Sequence, residues 1–269
     1  GTYGHSGALK RRYNAVMAAG EVVIAISEHI SRHLTAVYGT DPARIRVIHR
    51  GVDLGRFDPA AVAPERVAAL RAAWGIAGES RVVLLPGRLT RWKGQAVLVE
   101  AMARTARADV ACVLVGDAQG RERYRAELER AIRRHGLGDR VRLAGACADM
   151  PAAYLAADLV VSASTDPEAF GRIAVEAQAM ARPVIATAHG AALETVADGE
   201  TGWLVPPGDA EALAAALARA LALDPAARAA IGRAGRARAA RLFTTEAMCA
   251  KTLAVYRSLL EVREARGGG

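Results

Sequence analysis

Two glutamates, Glu168 and Glu176, flank a predicted helix start between two apolar segments. Residues 159–161 and 183–186 are typical of buried strands, and a polar loop followed by a helical segment joins them. A helix N-terminus offers free N–H groups and a partial positive charge, which suit an anion. Carboxylates only accept hydrogen bonds, so they suit the hydroxyl groups of a sugar or a ribose. An anion together with polyols indicates a nucleotide-sugar; the alternative is that both glutamates are solvated surface charges.

A second charged loop follows the predicted strand at residues 81–85. It contains Gly87-Arg88 and Lys93-Gly94. The planar fork of Arg and the point charge of Lys both suit phosphates. Alone, this loop would be interpreted as a basic surface loop. In a parallel sheet, however, the carboxyl ends of the strands share one edge, so this loop and the Glu168 loop are predicted to lie together. Neither a G-x-G-x-x-G pattern after a strand nor a G-x-x-x-x-G-K-[ST] phosphate loop occurs, which argues against a nicotinamide cofactor and a P-loop.

The elements that must position these loops alternate between strand and helix along the chain. This order predicts an α/β fold with a doubly wound parallel sheet, right-handed crossovers and helices on both faces. Ser27 and Asp209 are predicted N-caps. Residues 54–64, rich in Asp, Pro and Ala, are predicted to be a linker and a domain boundary. The predicted strands are residues 22–26, 45–48, 81–85, 110–115, 141–143, 159–162, 183–186 and 203–205.

The chain from Pro225 onward is predicted to be helical. Its first helix has a thin apolar stripe and is predicted to be solvated, with a membrane or an acidic partner as the alternative. Thr244 or Thr245 is predicted to cap a final helix, and Gly267 to Gly269 to form a disordered tail. The arginines around the first helix are Arg228, Arg233, Arg236, Arg238 and Arg241.

The composition restricts the class of protein. Of the 269 residues, 52% are hydrophobic and 24% charged, which is typical of a globular chain, and the net charge of +8 fits a phosphorylated ligand, nucleic acid or an anionic membrane. Nucleic acid is the weakest of these, because the basic residues are not interleaved with stacking aromatics. Cys112, Cys147 and Cys249 are widely spaced and predicted to be reduced thiols. The sequence contains neither a zinc-ligand spacing, nor a membrane-spanning apolar run, nor a signal peptide, so we expect a cytoplasmic protein, with peripheral contact to an anionic membrane face.

The order and spacing of these motifs resemble the C-terminal half of the retaining glycosyltransferases of family 4 (group 1), which have the GT-B fold. The resemblance runs from about residue 22 to about residue 260. It is most specific in PEAFGRIAVEAQAMARPVIA, residues 167–186. The other matching segments are Gly87-Arg88 with Lys93-Gly94, Gly116-Asp117, GWLVPPGD at residues 202–209 and IHRGVD at residues 48–53.

The resemblance implies transfer of a hexose from a UDP- or GDP-linked sugar to a glycan or lipid-linked acceptor. The transfer would retain the anomeric configuration and need neither a metal nor a cofactor. Arg88 and Lys93 would neutralise the donor diphosphate and the charge on the leaving group, and Glu168 would bind the hydroxyls of the transferred sugar. Glu176 would hold the ribose hydroxyls, and backbone near residues 145–147 would meet the base. The implied donor-binding residues are Gly116, Ala146, Phe170, Gly171, Arg172, Ile173 and Glu176.

The resemblance also implies a domain organisation. Residues 1–53 would be the end of an incomplete N-terminal, acceptor-binding Rossmann-like domain, residues 54–243 the C-terminal nucleotide-sugar-binding domain, and residues 244–269 a helix that returns to the N-terminal domain, followed by the tail. The chain begins without Met, so the rest of the first domain, with its usual active-site His, is expected before Gly1; His5 is a poor substitute. Two alternatives remain: a nucleotide-binding fragment without catalysis, and a GT-B epimerase or phosphorylase, although no Lys stands out for the pyridoxal phosphate that a phosphorylase needs.

Three positions depart from the usual family pattern, and none removes a charged site residue. Ala169 follows the first Glu where Gly is common, and Arg50 precedes Gly-Val-Asp where Asn is common. Ala181-Arg182 precedes Pro183 where the family helix closes on Gly. The last departure leaves the geometry of that helix end open.

Overall fold

Two parallel sheets and the helices between them make up the structure. A computed structural model describes residues 12–267 apart from residues 77, 79 and 106, with side chains to residue 265. In chain order, the strands are β1 (Val23–Ala25), β2 (Ile45–Val47), β3 (Arg81–Pro86), β4 (Val110–Val115), β5 (Val141–Gly145), β6 (Leu159–Ser162), β7 (Val184–Thr187) and β8 (Gly202–Val205). The α-helices are α1 (Glu28–Tyr38), α2 (Pro64–Ala73), α3 (Gln95–Arg104), α4 (Glu122–Arg134), α5 (Met150–Ala156), α6 (Arg172–Ala179), α7 (Ala192–Thr195), α8 (Ala210–Ala222), α9 (Pro225–Leu242) and α10 (Thr245–Gly267).

The larger sheet has six parallel strands in the order β5-β4-β3-β6-β7-β8. The chain moves outward from β3 to β5 on one side and from β6 to β8 on the other. The order therefore reverses between β3 and β6, and ligands of such sheets bind in the crevice outside the carboxyl ends of the strands at this reversal. The predicted doubly wound α/β fold is confirmed.

Strand residues of the larger sheet are buried on both faces, as the continuous apolar runs predicted. Leu85 in β3 belongs to a core cluster with the helices α3, α4 and α8, and Leu84 belongs to a second cluster with α2, α5, α6 and α9. Parallel sheets covered by helices on both faces require such runs rather than alternating polarity. Burial of these side chains is the main favourable term in the stability of the fold.

The predicted helix caps are present. Ser27 accepts a hydrogen bond from the N–H of Ile30 at the start of α1, and Asp209 accepts one from Ala212 at the start of α8. At the start of α10 it is Thr244, not Thr245, whose hydroxyl accepts the N–H of Ala247, at 3.1 Å. Each cap satisfies an N–H that has no partner within its helix.

The C-terminal helix crosses back to the small sheet of β1 and β2. Val52, just after β2, donates to the carbonyl of Phe243 at 2.8 Å and accepts from Thr245 at 3.2 Å. Farther along α10, Arg263 lies 3.6 Å from the carboxylate of Glu21. These contacts join the final helix to residues beside the small sheet, and the predicted division into domains stays a prediction.

Helix α9 is only partly the solvated arginine-rich helix that the sequence predicted, because Arg233 and Arg241 are exposed but one face of the helix is buried. Its Gly232 and Gly235 pack against Ala181 and Gln178 at the end of α6, and a Cβ atom at Gly232 would overlap the carbonyl oxygen of Ala181. Arg228 is 91% buried and lies 3.2 Å from the carboxylate of Asp158. The buried face consists of Arg228, Gly232, Gly235 and Ala239, so the apolar stripe looked thin although this face is closely packed.

Helix α6 ends as a Gly-terminated helix would, although the residue at the turn is alanine. Ala181 has a left-handed backbone with φ of 53°. Its N–H donates to Gln178, and the N–H of Arg182 donates to Ala177, both at 2.9 Å. This is the hydrogen-bonding pattern of a left-handed helix C-terminus, so the helix end left open by the sequence has its usual geometry with a strained residue.

Smaller differences concern boundaries and ends. The first predicted strand, residues 22–26, is shorter and is limited to β1, where Ile24 is partly exposed. The predicted linker carries two buried side chains, Phe57 and Val62, which pack with the larger sheet; the domain boundary itself stays a prediction. Gly267, the first residue of the predicted tail, is the last residue of α10, and residues 268–269 lie outside the described residues. His5 and the other residues before residue 12 also lie outside the described residues.

Two further observations bear on the expected environment. The three cysteines are free, and burial raises the pKa of the Cys112 thiol to about 12. Within the part of the chain that the structure describes, every helix is too short or too polar to cross a membrane.

Candidate functional site

A cavity of about 480 Å³ opens at the carboxyl edge of the larger sheet, beside the reversal between β3 and β6. Its walls come from the loop after β3, the loop after β6, the first turns of α6 and residues near β1 and β2. The two charged loops predicted to share this edge are hydrogen-bonded to each other, because Thr165 N–H donates to the carbonyl of Trp92 at 2.7 Å. The charged residues and the tyrosine in the walls are Arg50, Arg88, Lys93, Tyr154, Glu168, Arg172 and Glu176.

Lys93 and Glu168 form an ion pair within this cavity. The ammonium nitrogen lies 2.8 Å from Oε1 of Glu168, and the side chains are only 12% and 14% exposed. The hydroxyl of Ser164 donates to the same carboxylate oxygen, and the ammonium also lies 4.5 Å from the centre of the Trp92 ring. Each charge is therefore compensated before a ligand arrives, and the pair holds both side chains in defined positions.

Close packing between the two loops depends on a glycine. Gly94 has φ of 72°, and a Cβ atom there would overlap the carbonyl oxygen of Ala163 at the end of β6. A larger residue would push the Lys93 turn away from the Glu168 loop. Gly116 has a similar role, because a Cβ there would overlap the carbonyl oxygen of Gly87.

The Glu168 loop is braced from behind by the segment after β7. Thr187 Oγ1 and His189 Nε2 both donate to the carbonyl of Ser164 at 2.8 Å, and Ala191 N–H donates to the carbonyl of Glu168 at 3.0 Å. Gly190 leaves room for the Glu168 backbone, which lies within 3 Å of where its Cβ would be. The sequence reasoning missed this brace; the only signal was a Thr-Ala-His-Gly segment directly after a strand.

Glu176 is held on α6 by two side chains. Arg172 lies 2.7 Å from Oε1 of Glu176, and the Tyr154 hydroxyl donates to Oε2 at 2.9 Å. Burial, together with the neighbouring Glu176 carboxylate, raises the pKa of Tyr154 well above its ordinary value, so it stays a donor. Glu176 thus lines the cavity as an oriented acceptor, and Tyr154 is a site residue that the sequence reasoning missed.

The start of α6 and Arg88 complete the wall of the cavity with groups that could attract an anion. Gly171 precedes the helix with φ of 77° and has no side-chain cap, and Gly171, Arg172 and Ile173 line the cavity. The first N–H groups of a helix lack partners within it and attract anions. Arg88 is exposed at the rim, and no hydrogen bond or ion pair of its side chain occurs within the described ranges.

Glu194 on α7 connects this site to the small sheet. Its carboxylate accepts the N–H groups of Glu28 and His29 at the start of α1, both at 2.8 Å, and Nε2 of His49 lies 3.0 Å away. Ser27 adds a second link, because its hydroxyl donates to the carbonyl of Ala169 at 2.6 Å. Residues near β1 are therefore hydrogen-bonded directly to the Glu168 loop. Sequence reasoning did not identify Glu194.

Most of the predicted site residues lie around the one cavity: Arg88, Lys93, Glu168, Phe170, Gly171, Arg172, Ile173 and Glu176. Gly116 and Ala146 do not line it. Gly116 lies behind the Arg88 loop, and Ala146 is exposed after the end of β5. Their predicted contacts with a nucleotide stay predictions.

Comparison with known families gives two matches that together extend over most of the chain. The family described as glycosyl transferases group 1 matches residues 67–238, and glycosyltransferase family 4 matches residues 2–56. Among curated proteins, the chain is 37% identical to D-inositol 3-phosphate glycosyltransferase of Segniliparus rotundus and 38% identical to that of Kineococcus radiotolerans. Each alignment covers 94% of this chain but only 54% and 60% of the relative, so the chain spans a little over half the length of these proteins.

Solved structures agree in fold. A glycosyltransferase from Rickettsia africae superposes with a TM-score of 0.88 at 33% identity, over 95% of this chain and 68% of that one. HepE of Anabaena in complex with UDP-glucose superposes with a TM-score of 0.87 at 32% identity, over 94% and 69%.

Proposed function

The chain belongs to the group 1 glycosyltransferases, and from this we propose that its cavity binds the nucleotide-sugar donor of a retaining, metal-independent hexosyl transfer. The acceptor would be a glycan or a lipid-linked sugar or polyol. The observation that supports the proposal is that Arg88, the Lys93–Glu168 ion pair and the first residues of α6 all line one cavity, which lies where the strand order reverses.

The cations and the helix start suit a diphosphate. Among the residues that the structure describes, the Arg88 guanidinium at the rim has no partner, and the N–H groups at the start of α6 supply further donors. Lys93 would shift its hydrogen bond from Glu168 to the phosphate, or bridge both, as negative charge develops on the leaving group. Preorganised donors aimed at developing charge are usually the largest single contribution to such catalysis.

The environment of Glu168 supports a binding role rather than a nucleophilic one. One of its oxygens already accepts hydrogen bonds from Lys93 and Ser164, so that oxygen is held in place as an acceptor. The remaining oxygen is available to a hydroxyl of the transferred sugar. Glu176, whose oxygens accept from Arg172 and Tyr154, would hold the ribose hydroxyls in the same manner. Departure and attack on one face of the sugar, assisted by the cations, would then retain the configuration.

Two similar proteins support the choice of ligands. HepE of Anabaena was solved with UDP-glucose, which supports a UDP-linked hexose as donor, with a GDP-linked hexose as the alternative. The curated relatives are named for D-inositol 3-phosphate, which supports a polyol or phosphorylated polyol among the acceptors. Within the described residues, no group of three His, Cys, Asp or Glu side chains could hold a metal.

Calorimetry with UDP, GDP and ADP tests the proposal directly. We expect one diphosphate to bind, with the same affinity in the presence of EDTA. Absence of binding by all three would overturn the donor site, and loss of binding in EDTA would overturn metal independence.

A second candidate is a nucleotide-binding unit that does not catalyse transfer by itself. Binding of the nucleotide without release of UDP from the sugar donor, in the presence of an acceptor panel, would support it. Release of an epimerised sugar without any acceptor would instead indicate an epimerase.

We also propose a cytoplasmic location with peripheral contact to an anionic membrane. Helix α10 supports the contact, because Leu253, Tyr256 and Leu260 are exposed on it alongside Lys251 and Arg257. An exposed apolar stripe beside basic residues is typical of helices that lie on lipid surfaces.

A further inference from the structure

A second cavity, of about 530 Å³, opens beside the proposed donor cavity at the carboxyl edge of the larger sheet. Its walls come from the loop after β3 and from the start of α4, and they are lined by Thr90, Arg91, Trp92, Arg121, Arg123 and Tyr124. Trp92 also lines the donor cavity, so the two cavities are neighbours. A volume of this size is typical of sites for small organic ligands, at about 300–1,000 Å³, rather than of a site for a single ion.

The three arginines of this second cavity carry more positive charge than the protein compensates. The carboxylate of Glu127 is shared, because its oxygens lie 2.5 Å from Nη2 of Arg91 and 3.5 Å from Nε of Arg123. The Arg121 side chain donates to the carbonyl of Ala118 at 3.3 Å and forms no ion pair with any residue that the structure describes. Three guanidinium groups against one carboxylate leave a net positive charge, which suits a ligand with more than one negative charge.

Two uncharged features of the second cavity also point to a ligand. Helix α4, which has 13 residues, begins here without a side-chain cap, so its first N–H groups lack partners within the helix. Thr90 is only 7% exposed, and its hydroxyl has no hydrogen-bond partner in the described part of the chain. Burial of a hydroxyl without a partner is unfavourable, and an oxygen atom of a ligand in this cavity would supply the missing partner.

The aromatic rings of the second cavity are held by contacts that reach the donor loop. The Arg91 guanidinium lies 5.2 Å from the centre of the Tyr124 ring, and the Tyr124 hydroxyl donates to Oε1 of the buried Gln95 at 3.3 Å. Gln95 in turn donates to the carbonyl of Arg88 at 2.9 Å. The Trp92 ring is half-buried between the two cavities. A fixed wall of rings and guanidinium planes suits a ligand with rings that lie flat against it.

We propose that the second cavity binds an acidic oligosaccharide, a sugar chain that carries carboxylate groups. Guanidinium forks bind carboxylates through paired hydrogen bonds, and the sugar hydroxyls would meet Thr90 and the N–H groups of α4. Arg91 and Arg121 follow different strands, so they match negative charges that are separated along a chain. The proposal goes beyond the donor site and does not depend on it, because none of these arginines lines the donor cavity.

Calorimetry of the full chain with trigalacturonate tests the proposal. The comparison ligands are maltotriose, which is a neutral sugar chain, and citrate, which carries carboxylates without a sugar ring. Arg121→Gln removes the unpaired cation, and Thr90→Val removes the hydroxyl while it keeps the shape of the side chain. Arg125→Gln is the matched control, because Arg125 is exposed on the same helix and does not line the cavity.

The wild type and the control should bind trigalacturonate at least about tenfold more tightly than maltotriose or citrate. Arg121→Gln should weaken this binding by about tenfold, because it removes a charge-assisted hydrogen bond. Thr90→Val should weaken it by about fivefold without lowering the thermal unfolding temperature, because the hydroxyl has no partner within the described residues.

Absence of trigalacturonate binding, or equal affinity of Arg121→Gln and Arg125→Gln for it, would overturn the proposal. Citrate that binds as tightly as trigalacturonate would also overturn it, since the cavity would then recognise charge alone. The titrations are repeated with saturating UDP: unchanged affinity for trigalacturonate supports a second cavity, whereas competition would assign the sugar chain to the donor cavity and contradict the proposal. If UDP itself does not bind, the donor proposal fails, while the titrations without UDP still decide the role of the second cavity.

Discussion

Replacement of Glu194 by Gln tests whether one carboxylate joins the small sheet to the site. Three donors converge on this side chain: the N–H groups of Glu28 and His29, both at 2.8 Å, and Nε2 of His49 at 3.0 Å. The side chain is only 15% exposed, so water replaces a lost contact poorly. In the Gln variant one acceptor oxygen becomes an NH₂ group, which faces a donor instead of accepting from it.

The expected loss follows from these contacts. A hydrogen bond to a charged group contributes about 1.5–3 kcal/mol, and loss of an acceptor at a helix N-terminus costs about 1 kcal/mol. Because Gln keeps one oxygen, we expect the free energy of unfolding to fall by about 2 kcal/mol. The amides of Glu28 and His29 should also exchange with solvent faster, because their acceptor is weakened.

The same contact predicts a pH dependence. Burial by itself would raise the pKa of Glu194, but hydrogen bonds from His49 and from the backbone N–H groups of Glu28 and His29 outweigh it, and the pKa is lowered. A carboxyl group whose pKa is lower in the folded state stabilises the protein above its unfolded pKa, about 4.3, and this contribution is lost as the pH falls through the folded value. The difference between wild type and Glu194→Gln should therefore be full near pH 7 and shrink below about pH 4.

Urea unfolding followed by circular dichroism, with hydrogen exchange of α1, measures both effects. Glu200→Gln is the matched control, because Glu200 is exposed in the turn before β8 and makes the same change of charge. A loss below about 0.5 kcal/mol, or one equal to that of the control, would show that Glu194 does not join the two parts of the structure.

Three further predictions concern the site, the helix end and the surface. Lys93→Ala should weaken UDP binding by about 1.5–3 kcal/mol in calorimetry, because it removes a charged donor and leaves Glu168 uncompensated. The control Lys251→Ala on α10 should have no effect, and equal affinity of both variants for UDP would contradict the assignment. Ala181→Gly should raise the free energy of unfolding by about 0.5–1 kcal/mol, since Gly adopts φ of 53° without strain. The control Ala218→Gly, inside α8, should lower the free energy of unfolding by about 1 kcal/mol. Destabilisation by both substitutions would refute strain at Ala181. Sedimentation with anionic vesicles should show binding that weakens as salt is raised, and binding that is absent or independent of salt would reject the membrane contact.

The sequence by itself determined the class of fold and the edge of the sheet at which the two charged loops meet. Continuous apolar runs alternating with capped helices permit only a parallel, helix-covered sheet, and both charged loops follow strands, so they had to reach one edge. These are local patterns. The caps at Ser27 and Asp209 involve residues three positions apart, and each continuous apolar run by itself indicates a buried strand.

The tertiary structure decided which charges meet. Lys93 and Glu168 are separated by 75 positions and Glu194 and His49 by 145, and no local pattern indicates such partners. Arg228 looked solvated because the other buried residues of α9 are Gly232, Gly235 and Ala239, and glycines allow close approach without adding an apolar side chain. Pairings across the sheet edge arise only when the strands are placed side by side, and for this reason the chemistry of the site could be located from the sequence but its ion pairs could not.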